Sequence, residues 1–339
     1  MQANRQILLK KRPVGVPTTT DFQAGEGPIG TPGPGEVLVK NLYLSIDPAI
    51  RGWMSDARSY LPPIAIGAPI RSGTLSQIVE SNADDWPVGQ IVQALAAWES
   101  YSVVPARQLH GRVQSIEGIP LQSMLSVLGG NGLTAYFGLL EVGQPKPGDT
   151  VLVSAAAGGV GSIVGQIARI QGMRAVGLTG TDEKCTWLTE DLGYDAAVNY
   201  KTANLRVALD EACPEGIDVF FDSVGGEILN TVLTRLNRRG CVVLCGAISQ
   251  INAPELPPGP SNYLQLLAKS ARMEGFTTLD FAQRYDQARA DLAQWIRDDK
   301  LHYRDEIVEG LEQAPEHLLR LFNGDHRGKL MVKLADPEG

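Results

Sequence analysis

The residues of this chain best suited to chemistry are a run of small side chains, a lysine beyond it, and a few hydroxyl and imidazole groups further along. The run is Thr150-Val-Leu-Val-Ser-Ala-Ala-Ala-Gly-Gly-Val-Gly-Ser-Ile-Val-Gly165. Within it, Ala156-x-Gly158-x-x-Gly161 is the dinucleotide-binding fingerprint with alanine at its first glycine. Small residues let backbone approach a pyrophosphate, and a helix start offers free N–H groups with partial positive charge. Gly158, Gly159, Val160 and Gly161 are therefore candidate phosphate contacts. An ordinary glycine turn would look similar. The apolar Val151-Leu152-Val153 before it, and Val160, Ile163, Val164 and Ile167 at helical spacing after it, supply the strand–turn–helix context that the motif requires.

The next strand, Arg174-Ala-Val-Gly-Leu178, should end beside the adenosine ribose of such a cofactor. A non-phosphorylated nucleotide calls for a carboxylate there. The tip instead reads Thr179-Gly180-Thr181, and Asp182, near the usual spacing of about 20 residues, follows the glycine, where it suits a helix cap. Lys184 then suits a 2′-phosphate as a point charge, the alternative being a solvated surface lysine. Thr179, Gly180 and Lys184 favour NADP(H) over NAD(H).

The elements that must hold these groups fall into two patterns. Residues 1–125 carry short apolar runs, such as Val37–Val39, Ile78-Val79, Ile91-Val92 and Tyr101–Val104, between Gly/Pro turns, which predicts a barrel-like β domain. From 126, strands alternate with helices. Strands are expected near 150–154, 174–178, 196–199, 217–222, 241–245 and 272–277, with helices near 131–142, 159–171, 182–192, 226–237 and 281–298. That alternation predicts an α/β doubly wound parallel sheet. The last helix should set Phe281, Tyr285, Ala288, Leu292 and Trp295 on one face. The proline-rich segment 253–261 reads as a loop, and Lys329–Leu334 as a final strand.

Composition narrows the function classes. At 339 residues the chain is long enough for two domains. Its net charge of −8, without a basic stripe, argues against nucleic acid as a partner. No apolar run reaches the ~18 residues of a membrane span. Ile7–Leu9 is too short for a signal peptide, so the expected location is cytoplasmic. Cys185, Cys213, Cys241 and Cys245 show no zinc-type spacing, no cysteine precedes 185, and His110 is the only histidine of the N-terminal region. A catalytic zinc site is therefore not expected.

Beyond the fingerprint, Gly132-Leu-Thr-Ala-Tyr-Phe-Gly-Leu-Leu140, Asp222-Ser-Val-Gly-Gly226, Cys245-Gly-Ala-Ile-Ser249, Arg272-Met-Glu-Gly-Phe276 and Leu44-Ser-Ile-Asp-Pro48 with Arg51 form a wider pattern. It resembles the medium-chain dehydrogenase/reductase superfamily. More closely, it resembles the zinc-free leukotriene B4 12-hydroxydehydrogenase, prostaglandin reductase and alkenal double-bond reductase branch, which includes bacterial curcumin reductase. The resemblance covers essentially the whole chain. It implies a GroES-like β-rich catalytic domain (1–125 with 300–339) and a Rossmann NADP-binding domain (126–299). It also implies a homodimer joined through the sheet edge at 272–277, and NADPH-dependent reduction of the carbon–carbon double bond of a small enal or enone. By the same resemblance the cofactor touches Gly158–Gly161, Lys184, Tyr200, Cys245, Gly246, Ala247, Ile248, Ser249, Phe276, Thr277 and Thr278. Taken alone, Tyr200 reads as a buried aromatic.

Four positions depart from the branch pattern. Ser223 stands for asparagine, His326 for asparagine, Ala49 for tyrosine, and Asn131 lies where Met-Pro-Gly is usual. Ser223 and His326 remain candidate cofactor contacts, the latter with a pH dependence near the ordinary histidine value of about 6.5. Ala49 and Asn131 point to an altered substrate preference. The reaction needs a donor to the substrate carbonyl oxygen, and Tyr263 is the first candidate, with Tyr60 second. Quinone reduction and cofactor binding without catalysis are the competing readings.

Overall fold

Alternating apolar residues in the first third of the chain close strands onto one another, and the βα alternation that follows stacks strands in parallel. The computed structural model describes residues 3–56, 61–255 and 257–338. Two units result: Met1–Leu125 with Asp305–His326 and Leu330–Gly339, and Ser126–Arg304 with Arg327–Lys329.

The first unit begins with β1 (Asn4–Leu9) paired to β2 (Phe22–Gly27). It continues with β3 (Glu36–Ile46), β4 (Arg71–Ser81), β5 (Ile91–Ala97), β6 (Tyr101–Pro105) and β7 (Leu109–Arg112). Strand β3 serves two cores. Its first half, through Val37 and Val39, packs with Ile78, Val92 and Val104. Its second half, through Leu44 and Ile46, packs with Ile50, Trp98, Leu318, Leu330 and Val332. This explains why its residues are buried almost without alternation.

The second unit contains β8 (Thr150–Val153), β9 (Arg174–Thr179), β10 (Ala196–Asn199), β11 (Ile217–Asp222), β12 (Leu236–Leu244) and β13 (Arg272–Gly275). They form one sheet in the order β10-β9-β8-β11-β12-β13, every adjacent pair parallel. This is the Rossmann order, with the switch between β8 and β11. Val151, Leu152 and Val153 are fully buried, each stabilising the sheet by about 1.5–3 kcal/mol. The chain returns to the first unit through β14 (Asp305–Glu309) and closes with β15 (Lys329–Lys333), which pairs antiparallel with β3.

Several boundaries differ from expectation. The helix expected at 281–298 is regular only over Tyr285–Arg297, because Phe281 leaves helical geometry within a 3-10 segment and stacks on Phe137 at 4.8 Å. The rest of that face holds: Ala288 and Leu292 are buried, and Trp295 stacks on Tyr136. The helix expected at 226–237 stops at Leu233, and β12 already begins at Leu236. Helices also form at Leu205–Ala212, Leu264–Lys269 and Ala314–Asn323; the second is a short six-residue turn, and the last buries Leu318 and Leu321 along one amphipathic face.

Candidate active site

Strand β8 ends in a turn that only small residues permit. Ala155 takes φ +48° and accepts the Gly158 N–H through its carbonyl at 2.9 Å. The helix Gly161–Ile170 then starts against the turn. A Cβ on Gly161 would lie 2.7 Å from Ala156 Cα and 3.0 Å from the Ala155 carbonyl carbon, and closer still to that carbonyl oxygen. Glycine is thus required here by close approach of backbone. Tyr194 locks the same helix. Its hydroxyl donates to the Gly161 carbonyl at 2.5 Å and accepts from the Gly165 N–H at 3.1 Å, in space that a side chain at Gly165 would fill. Among the described residues, the N–H groups of Val160 and Gly161 donate to no protein acceptor, whereas Gly159 lies in the backbone bridge between Gly158 and Gly328. The first helical turn carries no carboxylate. This is a cradle for phosphate oxygens.

The adjoining wall is built around Asp222, which is fully buried at the end of β11. Its carboxylate accepts from Ser154 Oγ (2.8 Å), Val224 N (2.9 Å) and Gly225 N (3.0 Å). Its carbonyl accepts from Cys245 N and Gly246 N. Burial pushes the Asp222 carboxyl above the ordinary carboxylate range, and those side-chain and amide hydrogen bonds oppose the push. One residue thereby ties the tips of β8, β11 and β12 together, its side chain reaching Ser154 and its backbone carbonyl reaching Cys245 and Gly246. Ser223 N donates to Ser154 Oγ at 2.8 Å, Ile248 N to the Ser223 carbonyl, and Ser249 Oγ to the Val224 carbonyl at 2.6 Å. Ser223, Cys245, Gly246, Ala247, Ile248 and Ser249 thus form one paired loop, with Gly225 at φ +71° and Gly226 at φ +59° making its bend. Burial raises the Cys245 thiol to about 11, with the Ser223 hydrogen bond opposing, so it is a packing group and no thiolate.

At the tip of β9, Thr179 is buried and its carbonyl accepts the Tyr200 N–H at 3.1 Å. Thr181, rather than Asp182, caps the short helix Asp182–Thr186, its side chain accepting the Lys184 N–H at 3.3 Å. Asp182 is held instead by Asn199 Nδ2 at 2.6 Å. Lys184 is half-buried on that helix. Tyr200 packs its ring against the sheet core, and burial raises its phenol.

Two family descriptions match the chain: "N-terminal domain of oxidoreductase" over residues 5–111 and "Zinc-binding dehydrogenase" over 159–295. The chain is 41% identical to the NADPH-dependent curcumin reductase of Escherichia coli over 98% of both chains. It is 37% identical to the NADP(+)-dependent 2-alkenal reductase of Nicotiana tabacum, again over 98% of both. The solved structure of CurA from Vibrio vulnificus in complex with NADPH superposes with a TM-score of 0.91 at 40% identity, covering 98% of this chain and all of that one. The chain belongs to the zinc-free branch of the medium-chain dehydrogenase/reductases. This medium-chain reductase is an NADP-dependent oxidoreductase with NADPH as its cofactor. The free amides and the side-chain-excluding contact at Gly161 fit that group. Among the described residues, no group of three His, Cys, Asp or Glu side chains is placed to hold a metal ion.

The remaining sequence-derived residues are less closely gathered. The tip of the half-buried Phe276 ring packs against Gly138, beside Phe221. Thr277 caps the 3-10 segment beginning at Thr278, its N–H donating to Asp280 Oδ2 at 2.9 Å. His326 is half-buried in the first unit. Tyr263 is 59% exposed at the start of the helix Leu264–Lys269, beside the exposed Leu264 and Leu267. Tyr60 lies outside the described residues. Asn131, taken from the sequence as a mark of altered substrate preference, lies against the nucleotide turn: a Cβ on Gly159 would be 2.8 Å from its Nδ2.

Sequence reasoning missed Asp222 as the organiser of the loops, Tyr194 as the helix lock, and Gly328. The Gly328 N–H donates to the Ala157 carbonyl at 2.9 Å, and its backbone bridges to Gly158. The signal available was the Asp222 motif itself; nothing local pointed to Tyr194 or Gly328.

Proposed function

We propose that this reductase reduces the carbon–carbon double bond of small α,β-unsaturated aldehydes and ketones. The observation that carries the reading is near-full-length identity of 37–41% with a curcumin reductase and a 2-alkenal reductase, on a chain whose nucleotide cradle is intact. When bound, NADPH supplies the hydride for the β-carbon. The chain's own work is positional. The Val160 and Gly161 amides hold the pyrophosphate, the Asp222-organised loops fix the wall beside it, and Lys184 meets the 2′-phosphate. A hydroxyl donor must stabilise charge developing on the substrate carbonyl oxygen; Tyr263 is our assignment, and a proton from solvent water then completes the α-carbon as the enolate collapses to the saturated carbonyl.

The purified protein should oxidise NADPH when given alkenals and enones, with mass spectrometry showing the saturated carbonyl as product. Consumption with quinones alone would shift the reading to quinone reduction. Tight NADPH binding without turnover on any of these would leave a non-catalytic nucleotide binder.

We also propose a cytoplasmic homodimer. Strand β13 ends the sheet with its outer edge unpaired, and Leu264, Leu267 and Leu279 in the same unit are 61–78% exposed. Light scattering at micromolar concentration should give twice the chain mass. No helix among the described residues is long and apolar enough to cross a membrane.

A further inference from the structure

The tip of β9 holds a cation that the sequence motifs left unassigned. Gly180 follows the strand, and a Cβ there would meet Lys201 Cε at 3.0 Å and Nζ at 3.4 Å. The end of the Lys201 side chain therefore lies across the bare face of Gly180. Backbone register fixes where that side chain leaves the main chain. Asn199 pairs opposite Thr179, the Tyr200 N–H donates to the Thr179 carbonyl at 3.1 Å, and the Lys201 N–H donates to Asn199 Oδ1 at 3.2 Å.

The charges around this tip are arranged unequally. Asp182 and Glu183 are the nearest carboxylates in sequence, and both are engaged elsewhere. Asp182 Oδ1 accepts from Asn199 Nδ2 at 2.6 Å, and Glu183 forms an ion pair with Arg327, which the returning segment Arg327–Lys329 brings to this unit. Lys201 is exposed, and its ammonium forms no ion pair among the described residues. In a doubly wound sheet, the C-terminal end of this second strand is where the adenosine ribose presents its 2′ position. A ribose 2′-hydroxyl there would need a carboxylate turned toward it, whereas Glu183 is paired with Arg327 and one oxygen of Asp182 is taken by Asn199. A 2′-phosphate needs cations, and a dianion is better met by two than by one.

We propose that Lys201 is a cofactor-specificity residue that pairs with the 2′-phosphate across Gly180, acting beside Lys184. The assignment rests on the NADPH reading of the site. Gly180 is part of the device, because a side chain there would push the Lys201 stem off the strand tip. The Glu183–Arg327 pair is the other part, since Glu183, if released, would compete for the ammonium.

The test is titration of the full-length protein and its Lys201→Gln variant with NADPH and with NADH, each at low and high salt. The expected result is a rise of about tenfold in the NADPH dissociation constant, NADH within twofold of wild type, and a shallower salt dependence for NADPH. Lys201→Arg keeps the charge and should restore most of the NADPH preference. Thermal midpoints of both variants should match wild type, since Lys201 is exposed. NADPH affinity unchanged in Lys201→Gln, or equal loss for both nucleotides, would overturn the assignment. Failure of the wild type to bind NADPH at all would instead overturn the cofactor reading, and the two failures are told apart by the wild-type titration.

Discussion

Replacing Gly161 by alanine puts the cofactor cradle to its most direct test. The new methyl would stand 2.7 Å from Ala156 Cα and 3.0 Å from the Ala155 carbonyl carbon, where ordinary contact begins near 3.4 Å. All the close atoms are backbone, so no rotamer change relieves the overlap. The turn at 155–156 and the start of the helix must separate by several tenths of an ångström or more. Overpacking of this kind costs about 1–3 kcal/mol, and the rigidity of β8 behind the turn argues for the upper half. The displaced N–H groups of Val160 and Gly161 would also lose alignment with a pyrophosphate, and charge-assisted hydrogen bonds are each worth about 1.5–3 kcal/mol. Misaligning two of them weakens NADPH binding by roughly 3–5 kcal/mol, or about 150- to 5,000-fold. Gly159→Ala is the matched control. Its nearest neighbour is the Asn131 side-chain amide at 2.8 Å, which can rotate away, so the expected loss is within about tenfold. Calorimetric titration with NADPH reads the binding, and the thermal midpoint reads any separate loss of stability. If Gly161→Ala bound NADPH within threefold of wild type with an unchanged midpoint, the close approach at this turn would not be what makes the site.

The remaining expectations are simpler. Asp222→Ala leaves the buried N–H groups of Val224 and Gly225 and the Ser154 hydroxyl without their acceptor, so urea unfolding should show a loss of about 3–5 kcal/mol; a loss under 1 kcal/mol would mean the loops hold without the clamp. His317 is buried, with Nε2 3.3 Å from the Glu306 carbonyl and Nδ1 3.2 Å from an Arg320 nitrogen, an arrangement that suits the neutral ring. Burial, aided by Arg320 and opposed by Glu306, lowers its pKa. The unfolded chain therefore binds the proton more readily, and stability is lost as pH falls from about 6.5 through the lowered folded value. His317→Gln should remove that acid-side loss, seen as a wild-type minus variant midpoint that shrinks between pH 7 and pH 5; a constant difference would contradict it. Tyr263→Phe should lower turnover more than it raises the substrate Michaelis constant, and identical kinetics would remove this residue from the reaction.

Much of the molecule was legible locally. An apolar triplet, a run of small residues and a helical repeat are contiguous in the chain, so Val151–Val153, Gly158–Gly161 and Ile163–Ile167 could be placed as strand, turn and helix without any tertiary information. The lack of a carboxylate at Thr179-Gly180 was likewise a one-dimensional fact, and so was the scarcity of zinc ligands. Motif blocks such as Asp222–Gly226 and Cys245–Ser249 could be singled out, though their partnership could not. Their joining depends on β8, β11 and β12 lying side by side, which brings Ser154 to Asp222 across 68 positions. Pairing over that distance leaves no periodicity to read, because its energy lies in contacts between segments and not in the spacing within either one. The same reason hid Tyr194, Gly328 and the Lys201–Gly180 contact. It also explains the misassigned cap: Asp182 was an acceptable N-cap by type, but Asn199 on the neighbouring strand claimed its carboxylate and left Thr181 to close the helix. The sequence by itself determined that a phosphorylated nicotinamide nucleotide would be held at a small-residue turn. Only the tertiary structure decided which distant side chains shape that turn and which charges around it stay available.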